Sequence, residues 1–260
     1  MKRYDGEVAV VTGASSGLGR RLALDLAGRG ATVIGIARRK QLLDELAGEL
    51  RARTPSSGTV ACDVGDAGAY QDVLAEIERS NGKVDILIGA AGTESETPVP
   101  GATLDDFRKT MDVNFFGVVA GTLAVVPGMV ARGHGVVVNV SSDSARAPAP
   151  GGAAYAASKA ALSAFTEAVA LDVAARGVHL HVLYPGWVPT PMGLAAVERG
   201  MPLPPKPVRR TEEQIAELVL ARMGSDAIEL KASRLPVMAP LARAFFPKAY
   251  RKSVTKNSVT

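Results

Sequence analysis

Apolar and polar positions along the chain alternate between two patterns. Short, nearly continuous apolar runs occupy Val8–Thr12, Thr32–Ala37, Thr59–Cys62, Val84–Ala90, Val136–Val140 and Val178–Tyr184. They are brief and rich in β-branched residues, which predicts buried strands. Between them lie Gly17–Arg29, Gln41–Arg53, Tyr70–Arg79, Leu104–Ala131 and Tyr155–Ala175, amphipathic or apolar-periodic stretches that predict helices. Apolar strands separated by helices predict an α/β fold, a parallel sheet covered on both faces. Right-handed crossovers make it a doubly wound parallel sheet, with ligands at the carboxyl ends of its strands.

Beyond Pro185 the pattern changes. Pro189, Pro191, Pro202, Pro204, Pro205 and Pro207 crowd into nineteen residues, which predicts a loop or lid without regular structure. A helix at Glu212–Met223 and a short strand near Ala227–Leu230 restore order. The expectation is one domain over residues 1–260. Its core is about 7–190, and a substrate lid with a basic C-terminal segment covers about 191–260.

Composition narrows the class. The 260 residues can bury a substantial core, and 47% apolar with 22% charged residues is a soluble globular balance. No apolar run approaches the ~20 residues that cross a bilayer. Met1-Lys2-Arg3-Tyr4-Asp5-Gly6 passes straight into the first strand, with no signal-peptide pattern. The single cysteine, Cys62, excludes an internal disulfide, agrees with a cytoplasmic location, and is expected as a small buried hydrophobe.

The net charge of +4 is unevenly spread. Leu230–Thr260 holds seven basic and no acidic residues, which leaves the first 229 residues at −3. That tail has no helix-turn-helix, zinc-finger or RNA-binding pattern, so nucleic acid is not an expected partner. Within it, Met238, Leu241, Phe245 and Ala249 share a helical face, with Arg243, Lys248, Arg251 and Lys252 interleaved. Pro240 and Pro247 are expected to break any long helix. Three readings stay open: a lid or packing against the body, a weak contact with an anionic membrane surface, and solvated disorder.

Candidate chemistry begins where the first strand ends, at Thr12-Gly13-Ala14-Ser15-Ser16-Gly17-Leu18-Gly19. Glycines there allow a tight turn, close approach to a phosphate and close strand–helix packing. The following helix offers free N–H groups to a pyrophosphate, so Gly13, Ser15, Ser16, Gly17, Leu18 and Gly19 are expected to bind a dinucleotide. Where a ribose-binding carboxylate would end the second strand stands Ala37, followed by Arg38 and Arg39. Guanidinium groups suit a 2′-phosphate, which favours NADP(H) over NAD(H), with Arg38 the preferred contact. Their plainer reading is the start of a solvated helix.

Tyr155 and Lys159 lie one helical turn apart, on the same face. Such pairs are usually surface decoration. An ammonium about 4 Å from a phenolate is worth roughly 4 kcal/mol at an effective dielectric near 20, enough to bring a tyrosine from about 10 toward neutrality. His179 and His181 share a strand face but have no carboxylate or cysteine partner, so packing is favoured over a metal site.

With these residues in place, the chain resembles the short-chain dehydrogenase/reductase family over roughly Glu7 to Met192. Thr12-Gly-X-X-X-Gly17-X-Gly19 matches that family's cofactor turn, and Cys62-Asp63-Val64 its adenine motif, implying that Asp63 and Val64 border the adenine. Gly89-Ala90-Ala91-Gly92 stands where Asn-Asn-Ala-Gly is usual, so any hydrogen bond of those asparagines must come from elsewhere; Ala91 and Gly92 still suit a backbone lining. Asn114 matches an asparagine that bends its helix and supports the catalytic lysine through water. Ser142, thirteen residues before Tyr155, matches the catalytic serine; Ser141 and Ser144 are left as loop caps. Pro185-Gly186-Trp187-Val188-Pro189-Thr190 matches the Pro-Gly motif, implying that Val188 and Thr190 hold the nicotinamide.

The resemblance implies a Rossmann fold and a catalytic set of Asn114, Ser142, Tyr155 and Lys159. It implies hydride transfer between NADP(H) and a carbonyl or secondary alcohol, in a homodimer or homotetramer built through the helices at Leu104–Ala131 and Tyr155–Ala175. Substrate choice is expected from Thr93–Gly101, Asp143–Gly152 and the segment after Thr190. There Trp187, Met192, Leu194, Met201 and Leu203 suggest a hydrophobic substrate. The competing reading is a non-catalytic NADP sensor or scaffold, which would not require the proton relay.

Overall fold

The run Val8–Thr12 is buried at every position, and its side chains divide between two cores: Ala9 and Val11 on one side, Val10 on the other. That alternation is the strand's period of two, and it requires helices on both faces of the sheet. A computed structural model describes residues 2–94 and 97–255; Met1, part of the loop at Thr93–Gly101, and Lys256 of the tail lie outside the described residues.

The elements run β1 (Val8–Thr12), α1 (Gly17–Gly28), β2 (Thr32–Ala37), α2 (Lys40–Arg51), β3 (Gly58–Ala61), α3 (Ala67–Asn81), β4 (Ile86–Gly89), α4 (Leu104–Met111), α5 (Gly117–Arg132), β5 (Gly135–Val140), α6 (Ala153–Val173), β6 (Val178–Tyr184), α7 (Pro191–Glu198), α8 (Glu212–Arg222), β7 (Glu229–Lys231), α9 (Leu235–Phe245) and α10 (Pro247–Thr255). The seven strands are parallel in the order β3-β2-β1-β4-β5-β6-β7. The single-domain doubly wound sheet is as expected. Leu22, Leu26, Leu46, Ile215 and Val219 of α1, α2 and α8 cover one face. Tyr70, Leu74, Val125, Met129 and Ala170 of α3, α5 and α6 cover the other.

Several local expectations change, each for a physical reason. α3 begins at Ala67, three residues before Tyr70, because the Asp66 carboxylate accepts from the Ala69 N–H at 3.0 Å and caps the helix. The single helix expected at Leu104–Ala131 is divided by a π-helical turn at Asp112–Phe116. The whole run Leu104–Arg132 is long and apolar enough to cross a membrane, contrary to the expectation, but half of its most apolar stretch is buried inside the fold. The proline-rich stretch contains α7, since Pro191 takes the first helical position, where its missing N–H costs nothing, and Thr190 caps it. Pro240 lies inside α9 without ending it, whereas the expected break does occur at Pro247, which opens the separate α10.

Candidate active site

The strand order reverses between β1 and β4, so the connections leaving their carboxyl ends diverge and open a crevice. The first of its walls is the glycine turn. Gly13 has φ +68°, and a Cβ there would lie 2.7 Å from the Ala90 carbonyl oxygen; one at Gly19 would lie 2.5 Å from the oxygen of Gly13. Only hydrogen fits at either position. The Thr12 hydroxyl accepts from the N–H groups of Ala90 and Ala91 at 3.1 and 3.2 Å, joining the ends of β1 and β4.

Ser16 is the N-cap of α1, yet its side chain makes no capping bond, which leaves the first N–H groups of the helix for an anion. Leu18 is buried in the core and contributes only backbone. Arg39 donates to the hydroxyls of Ser15 and Ser16 at 2.9 and 2.7 Å, setting a guanidinium on the turn. Arg38 reaches out to Asp63 instead, at 3.4 Å, with 65% of its side chain exposed. Val64, one residue on from Asp63, is buried against Gly117. Cys62 is half-buried rather than buried, because β3 beside it is a sheet edge.

The substitution of asparagine by glycine at Gly89 has its explanation across the sheet. Gly89 pairs with Asn139 of β5, and a Cβ at Gly89 would lie 2.6 Å from the side-chain Oδ1 of Asn139. Asn139 therefore fills that space and donates to the Thr166 hydroxyl of α6 at 3.1 Å. Three groups converge on the bare face of Gly92: Asn114 Oδ1 at 3.4 Å, Lys159 Nζ at 3.6 Å and Met192 Cε at 4.0 Å from where its Cβ would stand.

Asn114 sits fully buried in the π-helical turn. Its Oδ1 accepts from the Thr93 N–H at 2.8 Å, while its Nδ2 donates to the Thr93 carbonyl at 2.8 Å and to the Ser158 hydroxyl at 3.0 Å. Ser158 in turn donates to the Tyr155 carbonyl at 2.8 Å. Asn114 thus clasps the loop after β4 to the first turn of α6. Sequence reasoning passed over Ser158, and nothing but its place one residue before Lys159 could have pointed to it.

α6 begins at Ala153, which puts Tyr155 in its first turn. Lys159 is buried, donates to the Val140 carbonyl at 2.8 Å, and holds its Nζ 5.8 Å from the centre of the Tyr155 ring. Ser142 stands near enough to Tyr155 to lower its pKa, and accepts from the N–H and hydroxyl of Ser144 at 3.2 and 2.9 Å. Ser141 is no loop cap: buried, it donates to the Lys159 carbonyl at 3.1 Å and shares a 2.7 Å hydrogen bond with Ser163, tying β5 to α6.

The expected lowering of the tyrosine pKa is reversed. Burial pushes Tyr155 up to about 12, the nearby Glu94 and Asp143 carboxylates add to the rise, and the Ser142 hydroxyl offsets part of it. Burial also drops Lys159 to about 8, partly countered by Glu94. The reason is geometric: the ammonium is turned toward the Val140 carbonyl, while the phenol is desolvated.

The last wall follows β6. Gly186 has φ +71°, and Trp187 makes an isolated bridge, its N–H donating to the Val208 carbonyl and its carbonyl accepting from the Arg210 N–H at 2.8 Å each. Val188 is buried, and the Thr190 hydroxyl accepts from the Gly193 N–H at 3.2 Å to cap α7. The Thr190 methyl lies 3.1 Å from the Cβ position of Gly17, so the segment Pro185–Thr190 meets the glycine turn.

Beside Gly92 opens a cleft of about 650 Å³, lined by Thr93, Glu94, Thr97, Asp106, Thr110 and Arg199 among others. Glu94 and Arg199, at the end of α7, form an ion pair of 3.8 Å. Sequence reasoning marked this loop but not the carboxylate, which belongs to no motif. His181 is a satisfied core histidine, with Nδ1 2.6 Å from the Ala227 carbonyl and Nε2 accepting from the Gly224 N–H at 2.9 Å.

Known proteins resemble this chain in sequence and in fold. The short chain dehydrogenase family matches residues 7–199. Dehydrogenase/reductase SDR family member 7B of Danio rerio is 36% identical over 197 residues, 74% of this chain; the chain spans only 64% of that relative's length. NAD+-bound xylitol dehydrogenase superposes with a TM-score of 0.80 at 25% identity, covering 88% of this chain and 98% of its own. An actinorhodin polyketide ketoreductase with NADPH also gives 0.80, at 26% identity, covering 89% and 97%. A sheet whose β1 turn, β4 loop, β5 end and first turn of α6 meet at one crevice, with that match over most of its length, belongs to the short-chain dehydrogenase/reductase family of oxidoreductases, which act on CH–OH and C=O groups with NAD(P).

Proposed function

We propose that this protein is an NADP(H)-dependent ketone reductase acting on a hydrophobic carbonyl, with Tyr155 as its general acid and base. The observation that carries the reading is the meeting of Ser142, Tyr155 and Lys159 at the crevice whose turn holds the Arg39 guanidinium. The turn Gly13–Gly19 would hold the pyrophosphate, Asp63 and Val64 the adenine, Lys159 the ribose, and Val188 and Thr190 the nicotinamide, with Ala91, Gly92, Pro185 and Gly186 as close backbone lining. When bound, the nicotinamide supplies or accepts the hydride.

The protein's own part is the proton and the geometry. Ser142 donates to the substrate oxygen, and Tyr155, a neutral phenol at pH 7, delivers the proton to the alkoxide as it forms. Lys159 stabilises the tyrosinate left behind. Asn114 positions the loop after β4 and, through Ser158, the turn that carries Tyr155. Met192 reaches the face of Gly92, and the exposed Leu194, Met201 and Leu203 that follow it in the chain would extend an apolar wall for the substrate. The charged end of the cleft at Glu94 and Arg199 suits a polar group at the substrate's far end.

Related structures hold either cofactor, so the preference rests on Ala37, Arg38 and Arg39. A panel of carbonyls offered with NADPH and with NADH is expected to show absorbance loss, with kcat/KM at least about tenfold higher for NADPH. Replacing Arg38 or Arg39 with alanine removes a charged hydrogen bond, a loss of about 10- to 100-fold in that ratio. An unchanged ratio in both variants, or no turnover on any carbonyl, would sink the reading.

A homodimer or homotetramer built through α5 and α6 accounts for three apolar side chains left in solvent on this helical layer: Phe116, Leu123 and Leu171, exposed by 49, 58 and 69%. Leu171→Arg is expected to convert the assembly toward smaller species in sedimentation velocity. A variant that sediments like the parent would place the interface elsewhere.

A further inference from the structure

The C-terminal helices leave an unpartnered surface that the reaction does not use. The start of α9 is pinned to the body: the Ser233 hydroxyl donates to buried Asp143 at 3.0 Å and accepts from the Leu235 N–H at 3.2 Å, and Pro236 and Ala239 are buried. That anchoring turns the opposite side outward. Met238, Leu241 and Phe245, spaced three and four apart, are exposed by 48 to 72%, with Val237 and Phe246 beside them at 41 and 69%. Around this apolar strip stand Arg234, Arg243, Lys248, Arg251 and Lys252, all exposed. None of the five has a salt bridge among the described residues, and no acidic residue occurs between Lys231 and Thr255.

The charge selects the occupant. A second copy meeting this patch about a two-fold axis would set five cations against five others with no carboxylate between them. A bilayer rich in anionic phospholipid offers both required surfaces: phosphates for the cations, and an acyl boundary for the phenylalanines and leucine. We propose that α9 and α10 dock this enzyme on an anionic phospholipid membrane, with Leu241, Phe245 and Phe246 entering the headgroup–acyl boundary.

The test uses the full-length protein and extruded vesicles of phosphatidylcholine, alone or mixed with phosphatidylglycerol. Co-sedimentation is expected with the mixed vesicles only and should weaken as salt rises. Each basic residue near an anionic surface multiplies binding about fivefold, so the triple variant Lys248→Glu, Arg251→Glu, Lys252→Glu is expected to lose at least about 100-fold. The double variant Phe245→Ser, Phe246→Ser should lose at least about tenfold. Unchanged thermal melting and NADPH binding show that each variant is folded. The proposal is overturned by absence of sedimentation with mixed vesicles, by equal binding to phosphatidylcholine alone, by full binding of the triple variant, or by tail variants that change the sedimenting species and not vesicle binding.

Discussion

Tyr155→Phe is expected to lower kcat by about 100- to 10,000-fold while changing the dissociation constant for NADPH by no more than about twofold. The phenol stands beside Ser142, and burial raises its pKa to about 12, which keeps the proton in place at neutral pH. Phenylalanine keeps the ring that packs at the start of α6, so folding and cofactor binding should persist. Only proton delivery is removed. Steady-state NADPH oxidation and a fluorescence titration of NADPH separate the two effects. Retained turnover in a variant that binds NADPH normally would take Tyr155 out of the mechanism.

Lys159→Met is expected to damage turnover and to strengthen the fold. The ammonium is buried, and its pKa of about 8 against an ordinary 10.5 means that the folded chain holds this charge at a cost. The shift corresponds to about 3 kcal/mol, and the Val140 carbonyl left unpaired by methionine returns about 1 kcal/mol of it, a net gain near 2 kcal/mol for the cofactor-free protein at pH 7. The sign with pH follows from the depressed value. Below pH 8 both folded and unfolded lysine carry the proton and the cost is complete. Between 8 and 10.5 the folded lysine is neutral while the unfolded one is still charged, so the parent regains stability and the gap closes. Urea unfolding at neutral and alkaline pH measures it; a variant less stable at pH 7 would contradict the burial argument. In the parent, kcat/KM for reduction should fall as pH rises through about 8, when the charge that stabilises tyrosinate is lost.

Much of the site was legible in the chain itself. The shape of the turn Thr12–Gly19 follows from positions where only glycine fits, and Ser142, Tyr155 and Lys159 occur at spacings that place them at one strand end and one helix turn. The prolines misled in part: Pro191 opens a helix and Pro240 is carried inside one, whereas Pro247 does divide the tail into two short helices. The loss of asparagine at Gly89 looked like a missing hydrogen bond, and only the β4–β5 register shows Asn139 standing in that space.

What the sequence determined by itself is periodic or local: alternating strands and helices, the parallel sheet, the glycine turn and the one-turn spacing of tyrosine and lysine. These depend on φ, ψ and side-chain periods that a few neighbouring residues set. Tertiary structure decided what depends on burial and on distant partners. It turned Lys159 toward Val140 and raised Tyr155 rather than lowering it, because desolvation is a property of the packed site. It brought Glu94 beside both groups from a loop with no motif. It also held the apolar face of α9 outward, since Asp143 and Ser233, ninety residues apart, anchor the opposite side.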